Sequence, residues 1–260
     1  MNSFHGTPSL SPSNRLSIGI IWASFVPCSR EADATPRILR RFLDRYGTVF
    51  VKPSGGSRGR GIIKVWRAGG HVWVKHTIHP ARSFTCEDEA VRHVERLQEN
   101  GAYMVQQGIS LIRIGGRPVD IRVMVQRTRP CGPWLYSGMV AKVAGPGSVV
   151  TNVALSHGRV MEVKQALRTV FGPRRAETCV REMKRLALTA ARHFDTYQPY
   201  RELGFDIGID RSGRVWLIEE NTGPSHHLMK QLRSNPGLGR LIEHRWSQYQ
   251  RALRSNRRRV

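Results

Sequence analysis

Acidic side chains are scarce. The 260 residues hold 19 Asp and Glu against 42 Lys and Arg, a formal net charge of +23. A chain this basic attracts polyanions: nucleotides, nucleic acid, anionic polymers or anionic membrane surfaces. Cysteine is scarce too. Cys28, Cys86, Cys131 and Cys179 stand far apart with no CxxC pair. That excludes a disulfide framework and a structural zinc ribbon, and it reads as isolated, reduced thiols of a cytoplasmic protein. Long apolar runs are missing, since the stretch 18–26 is too short to span a bilayer. The polar, Ser- and Pro-rich start lacks the charged-then-apolar order of a signal peptide. No helix-turn-helix, zinc finger or aromatic-interleaved basic strand is present, so a nucleic-acid reading rests on charge alone.

What is present is an ordinary apolar fraction of 40% and a length that suits one large domain or two small lobes. The most informative stretch is 202–225, where two short apolar runs flank Arg211-Ser212-Gly213-Arg214. That pattern predicts a β-hairpin. Residues two apart share a strand face, so Glu219 and Asn221 point the same way. A two-residue Ser212-Gly213 turn places Asp206 opposite Glu219; a three-residue loop shifts the pairing by one. Asp206, Glu219 and Asn221 are hard oxygen donors of the kind that suits Mg²⁺. The plainer reading is a solvated acidic face, which a chain so poor in acids makes less natural.

Earlier in the chain, Thr35-Pro36 opens a predicted helix and Gly47 closes it, with Ile38, Leu39, Phe42, Leu43 and Tyr46 at helical spacing. A β-rich run at 48–52 leads into Ser54-Gly-Gly-Ser-Arg-Gly-Arg-Gly61 and then a strand at 62–66. Strand, glycine-rich loop, strand fits neither the Walker A pattern nor the dinucleotide fingerprint, both of which need a helix after the loop. Such a loop can still fold over phosphates, because small residues let backbone N–H groups come close. Lys52 enters that loop, and Arg58 and Arg60 add charge; a flexible surface hairpin is the alternative. Strands are expected at 71–76 and 103–107, with a helix between them capped by Thr85 and stopped at Asn100-Gly101. Gln106, Gln107 and the backbone to Ile109 form a candidate hinge whose backbone an adenine could use.

Asp120 and Arg122 share a face of a strand at 117–127. They make either a local salt bridge or an arginine held ready for a phosphate or carboxylate. Lys142 sits near the end of a strand at 134–143, and an extended run is expected at 149–153 with Thr151 and Asn152. A long helix is predicted over 173–197, with Cys179, Met183, Leu186, Ala187 and Ala190 on its inward stripe. His226 and His227 read as packing or capping residues near a helix start rather than metal ligands. One or two helices follow, broken near Asn235-Pro236-Gly237, and the Arg-rich end is expected to be solvated.

This order of features resembles the ATP-grasp superfamily. Gly-Ser-Arg-Gly-Arg-Gly-Ile and Trp-Leu-Ile-Glu-Glu-Asn-Thr-Gly-Pro look most like its YheC/YheD group, endospore coat-associated proteins of spore-forming bacteria. The resemblance spans 37–232 and implies an α+β, two-lobed ATP-grasp fold, with the nucleotide cleft between two mixed or antiparallel sheet-plus-helix lobes. It divides the chain into a tail (1–33), a small lobe (34–108), a large lobe (109–232) and a basic helical tail (233–260).

By the same resemblance, Lys52 would contact ATP phosphates and the loop Gly55, Gly56, Ser57, Arg58, Gly59, Gly61 would close over them. Gln106, Gln107 and Ile109 would hold the adenine, and Arg122 and Lys142 would be the catalytic cations. Asp206, Glu219 and Asn221 would hold Mg²⁺. The family's usual chemistry joins a carboxylate to an amine or thiol through an acylphosphate. The expected partners are ATP, carboxylate and amine substrates, and spore-coat proteins or an anionic polymer, in a cytoplasmic or spore-associated setting. Departures from the family are Gln106 and Gln107 in place of a hinge acid, Thr151 in place of an arginine, and no lysine among the first thirty or so residues.

Overall fold

The computed structural model describes residues 31–54, 60–99 and 101–257. These fall into two units: 31–118 with 143–159, and 119–142 with 160–257. Of the tail and extended segment expected over 1–33, residues 1–30 lie outside the described residues, and Glu31–Asp33 form a strand of the first sheet.

The first unit is built on a six-stranded sheet, β1 (Glu31–Asp33), β2 (Thr48–Pro53), β3 (Ile63–Ala68), β4 (His71–His76), β5 (Arg82–Phe84) and β6 (Tyr103–Gln107), in the order β1-β6-β2-β3-β4-β5. Each pairing is antiparallel. Two helices, α1 (Pro36–Tyr46) and α2 (Glu87–Leu97), share its core. Helix α1 begins and ends as the sequence predicts. Thr35 accepts a hydrogen bond from Ile38 N at 3.3 Å, Pro36 takes the first turn, and Gly47 at φ 66 ends it. Its Leu39 and Leu43, one turn apart, pack on Val49, Val51, Val65 and Val105.

Helix α2 starts one residue later than expected. Cys86, not Thr85, is its cap and makes no capping bond. Glu87, Asp88 and Glu89 meet the positive helix end instead. It ends at Leu97, before the expected Asn100-Gly101 stop.

Residues 143–159, expected with the large lobe, belong to the first unit. Two backbone bonds tie them there, from Ala144 N to Pro118 O at 3.0 Å and from Val149 N to Thr77 O at 3.3 Å. The run at 149–153 is not extended. Ser148 Oγ bonds both the N–H and the C=O of Val150, and Asn152 caps a short helix, α3 (Val153–Ser156), by accepting from Leu155 N at 2.9 Å. Short polar side chains here offer the backbone an alternative to a strand ladder.

Past the short hairpin strand β7 (Arg113–Ile114), the second sheet comprises β8 (Arg117–Gln126), β9 (Leu135–Val143), β10 (Arg159–Met161), β11 (Glu202–Ile209) and β12 (Val215–Asn221), in the order β10-β9-β8-β11-β12. Helix α4 (Val163–Phe194) is kinked at Gly172 (φ 74), just before Pro173. The half after Pro173 buries Cys179, Met183, Leu186, Ala187 and Ala190 as the spacing predicts. The half before it was not legible; Glu162 caps it by accepting from Lys164 N and Gln165 N.

After the break at 231–235, α5 (His227–Lys230) gives way to α6 (Pro236–Arg257). The segment from 233 onward is more than a basic tail. Its Leu238 and Ile242 join Met229 and Leu232 on Met124 and Val140 of the sheet. Leu238 lies so close to β9 that a Cβ on Gly138 would sit 2.1 Å from its Cδ1.

Candidate nucleotide and metal site

In the second unit, strand register assembles a charged row. Arg122 on β8 pairs with Asp206 on β11, and Asp206 pairs in turn with Glu219 on β12. Asp120 lies two residues from Arg122, opposite Gly208, on the same face. Lys142, from β9, reaches both carboxylates, with Nζ 3.2 Å from Asp120 Oδ1 and 3.0 Å from Asp206 Oδ1. Arg122 donates Nε and Nη2 to the two oxygens of Asp206.

Arg122, expected either to make a local salt bridge with Asp120 or to stand ready for a phosphate or carboxylate, is held by the Asp206 carboxylate. Both Asp120 and Arg122 have a charged partner on a neighbouring strand. All four groups are buried, with Asp120 4%, Lys142 5%, Asp206 6% and Arg122 8% exposed. Such ions persist in an interior only as a balanced, hydrogen-bonded set. Burial by itself pushes the Asp206 carboxyl up, but Arg122 and Lys142 outweigh it and hold the group well below the usual range. Burial likewise lowers Lys142, and Asp120 and Asp206 outweigh it, keeping the ammonium charged.

The hairpin reaches this register by two opposing shifts. Asp210 N bonds Arg214 O, and Gly213, at φ 83, donates to Asp210 O, so the loop is the three-residue Arg211-Ser212-Gly213. That loop pairs Ile207 with Leu217. A bulge between Asp206 and Ile207 then restores Asp206 opposite Glu219.

The Glu219 side chain makes no hydrogen bond or ion pair with the described residues and is partly exposed. Asn221 Nδ2 donates to Gly204 O at 3.5 Å, which leaves its amide oxygen without a hydrogen-bond donor among the described residues. Two neighbouring oxygen acceptors on one strand face fit a hard divalent cation, which takes few protein ligands and completes its shell elsewhere. No three His, Cys, Asp or Glu among the described residues gather as a metal cluster.

A model of the YheC/D like ATP-grasp family matches residues 16–253. The chain belongs to that family. Endospore coat-associated protein YheD of Bacillus subtilis is 31% identical over 225 residues, covering 83% of this chain and 47% of that protein. This ATP-grasp chain spans about half the length of the curated relatives it matches. Among solved structures, D-alanyl-alanine synthetase A from Vibrio cholerae superposes with a TM-score of 0.52 at 16% identity, covering 89% of this chain and 62% of that one. D-cycloserine synthetase DcsG superposes at 0.51 and 18%, covering 90% and 72%. The fold is the α+β ATP-grasp fold.

The remaining expected residues of this ATP-grasp chain lie in the first unit. Lys52 stands on β2 opposite Met104, on the sheet face away from the buried Val49 and Val51. Of the loop, Gly55, Gly56, Ser57, Arg58 and Gly59 lie outside the described residues. Gly61 has φ 71, and a Cβ there would come 3.0 Å from Pro53 Cγ, so the position requires glycine. Gln106 is buried and Gln107 half-buried at the end of β6. Gly108 N already bonds Thr48 O at 2.9 Å, and Leu111 N bonds Ile109 O at 2.9 Å.

A second polar network went unread in the sequence. Ser137 donates to Gln126 Oε1 at 2.7 Å, Gln126 donates to Glu202 at 3.0 Å, and His226 bridges Glu202 at 2.8 Å and Glu243 at 3.1 Å. The available signal was period two, since Gln126 shares the strand face of Asp120 and Arg122. His226, expected to pack or cap, makes no capping bond and ties α6 to the sheet through these two hydrogen bonds.

Proposed function

We propose that this protein binds Mg-ATP and uses it to join a carboxylate to an amine or thiol through an acylphosphate. The observation that supports this best is the row Lys142–Asp206–Arg122–Glu219–Asn221, in which buried cations meet oxygen donors free to take a hard cation. Glu219 and Asn221, with Asp206 completing the set, would hold Mg²⁺. The metal would neutralise phosphate charge and orient the transferring group. Lys52 would contact the nucleotide phosphates, Gly55, Gly56, Ser57, Arg58, Gly59 and Gly61 would cover them, and Gln106, Gln107 and Ile109 would hold the base.

A carboxylate oxygen of the substrate attacks the γ-phosphorus and ADP departs. The amine or thiol then attacks the acyl carbon and phosphate departs. Arg122 and Lys142 supply fixed positive charge where the negative charge of both steps accumulates. The row holds no Ser, Thr or Cys, and phosphoryl transfer by positioning and charge needs no such nucleophile. The named role of the Bacillus subtilis relative favours a second reading, a coat-associated protein that binds nucleotide without ligating anything.

The test is a thermal-shift series with ATP, with and without Mg²⁺, followed by ADP release with candidate amino acids and peptides. Mg-ATP at a hundred times its Kd should stabilise the fold by about 2.7 kcal/mol. Nucleotide binding with no ADP release across the substrates supports the non-ligating reading. Wild-type-like turnover in Glu219→Ala removes the metal assignment, and no shift with any nucleotide removes the whole proposal.

A further inference from the structure

A net charge of +23 says little until its cations are placed. On α4 they are sorted. Past the kink, this helix buries Cys179, Met183, Leu186, Ala187 and Ala190 on one side. Phe194, at its end, meets Phe205 of β11 with ring centroids 5.9 Å apart. Phe205 directly precedes Asp206, so α4 covers the sheet face opposite the charged row. The outward side of α4 is thus separate from the residues assigned to metal and phosphate.

Four arginines occupy that side. Arg174, Arg181, Arg185 and Arg192 are all exposed. They stand 7, 4 and 7 residues apart. At about 3.6 residues per turn, that spacing keeps all four within about 20° of one line, opposite the buried stripe, over about 27 Å. The half of α4 after Pro173 has only two acids, and both are engaged elsewhere. Glu177 pairs with Lys164 at 3.0 Å and with Arg168 at 3.6 Å, and Glu182 pairs with Arg175 at 3.4 Å. None of the four aligned arginines forms an ion pair with the described residues. Lys164 holds the Glu177 carboxyl below its usual range, and Arg168 and Arg181 only add to that effect. Arg181 and Arg192 each donate to a threonine three residues earlier, Thr178 at 3.1 Å and Thr189 at 3.3 Å. Arg181 and Arg185, at i and i+4, repel each other. The core gains nothing from this alignment, and its missing counter-charge points to a partner outside the chain.

We propose that this arginine crest binds the phosphate backbone of a nucleic acid without reading its bases. The planar guanidinium fork matches a pair of phosphate oxygens, and a single row of cations suits a linear polyanion. An anionic membrane fits less well, because an interfacial helix needs an apolar face beside its cations. The exposed large apolar side chains among the described residues are Ile78, Val170 and Leu241, and none lies on this half of α4. The same lack disfavours an acidic protein, whose interface would want aromatic or apolar anchors. From 174 to 192 there is no aromatic, Asn or Gln residue to stack on a base or pair with its edge. The contacts therefore go to phosphate, which positions a strand but carries no sequence information.

The test is fluorescence anisotropy of the full chain with a labelled mixed-sequence oligonucleotide of about 30 residues, single-stranded and duplex, between about 50 and 200 mM salt. Two variants each remove four exposed positive charges. One carries Arg174→Gln, Arg181→Gln, Arg185→Gln and Arg192→Gln; the other carries Arg233→Gln, Arg240→Gln, Arg251→Gln and Arg254→Gln. Wild type should bind at least one form of the oligonucleotide. The crest variant should lose about 100-fold or more in affinity near 0.1 M salt, and its slope of log K against log salt should fall by about 3 to 4. The second variant, of equal net charge, should lose at least about 10-fold less. Replacing the four crest arginines by lysine should preserve the slope. Tm and the Mg-ATP thermal shift should stay as in wild type throughout, so this proposal stands or falls apart from the nucleotide site. Equal losses in the two Gln variants, or unchanged affinity in the crest variant, overturn it. So does absence of binding by wild type, or tighter binding to inorganic polyphosphate, poly-glutamate or phosphatidylserine vesicles than to either oligonucleotide.

Discussion

Arg122 grips Asp206 with two nitrogens, at 2.6 and 3.0 Å, across 84 residues of chain. The planar fork matches the carboxylate, and no single ammonium could replace it. Arg122→Ala leaves a buried carboxylate short of charge and should cost about 3–5 kcal/mol in urea unfolding. Arg122→Lys should recover only part of that loss. A loss under about 1 kcal/mol in Arg122→Ala would mean that water enters the row freely.

Acid should dismantle the same row. The folded Asp206 carboxyl lies well below its unfolded value, so its contribution is complete above the unfolded pKa and is lost as pH falls through the folded one. Stability should therefore decline below about pH 4. In Asp206→Asn that part of the decline should vanish, at a cost in stability at pH 7. Parallel pH profiles for the two proteins would refute the linkage.

His226 titrates with the opposite sign. Its hydrogen bond to Glu202 raises its pKa against the effect of burial, and Glu243 adds to the rise. The stabilisation is complete below the unfolded value of about 6.5 and fades as pH rises through the folded value. Melting temperatures from pH 6 to pH 9 should fall more steeply in wild type than in His226→Gln.

Asn221→Ala separates the metal role from the fold. The side chain is partly exposed and its hydrogen bond to Gly204 O, at 3.5 Å, is long. Unfolding stability should change by no more than about 0.5 kcal/mol. The Mg²⁺-dependent part of the ATP thermal shift should disappear, while any Mg²⁺-independent part remains.

Gly138 tests whether α6 belongs to the second core. With Leu238 Cδ1 only 2.1 Å from a Cβ at that position, and the glycine at φ 150, Gly138→Ala should destabilise by about 1–3 kcal/mol. Adding Leu238→Ala should restore part of the loss, a non-additivity that a double-mutant cycle measures.

Much of this molecule is local and therefore readable. Thr35-Pro36 and Gly47 delimit α1 through caps that involve only nearby atoms. Alternation places Glu219 with Asn221, and Asp120 with Arg122, whatever the rest of the chain does. The Thr85 cap and the strand at 149–153 misled for equally local reasons, because acids rather than a hydroxyl met the helix end and Ser148 and Asn152 captured the backbone.

The amino-acid order alone therefore determined which charged residues share a face and that a hairpin joins Asp206 to Glu219. Tertiary structure decided who pairs with whom. The strand order β9-β8-β11-β12 gives Lys142 to Asp120 and Arg122 to Asp206, and a bulge cancels the loop's one-residue shift. Period two sets the direction of a side chain, but its neighbour across a sheet depends on which distant strand is laid alongside.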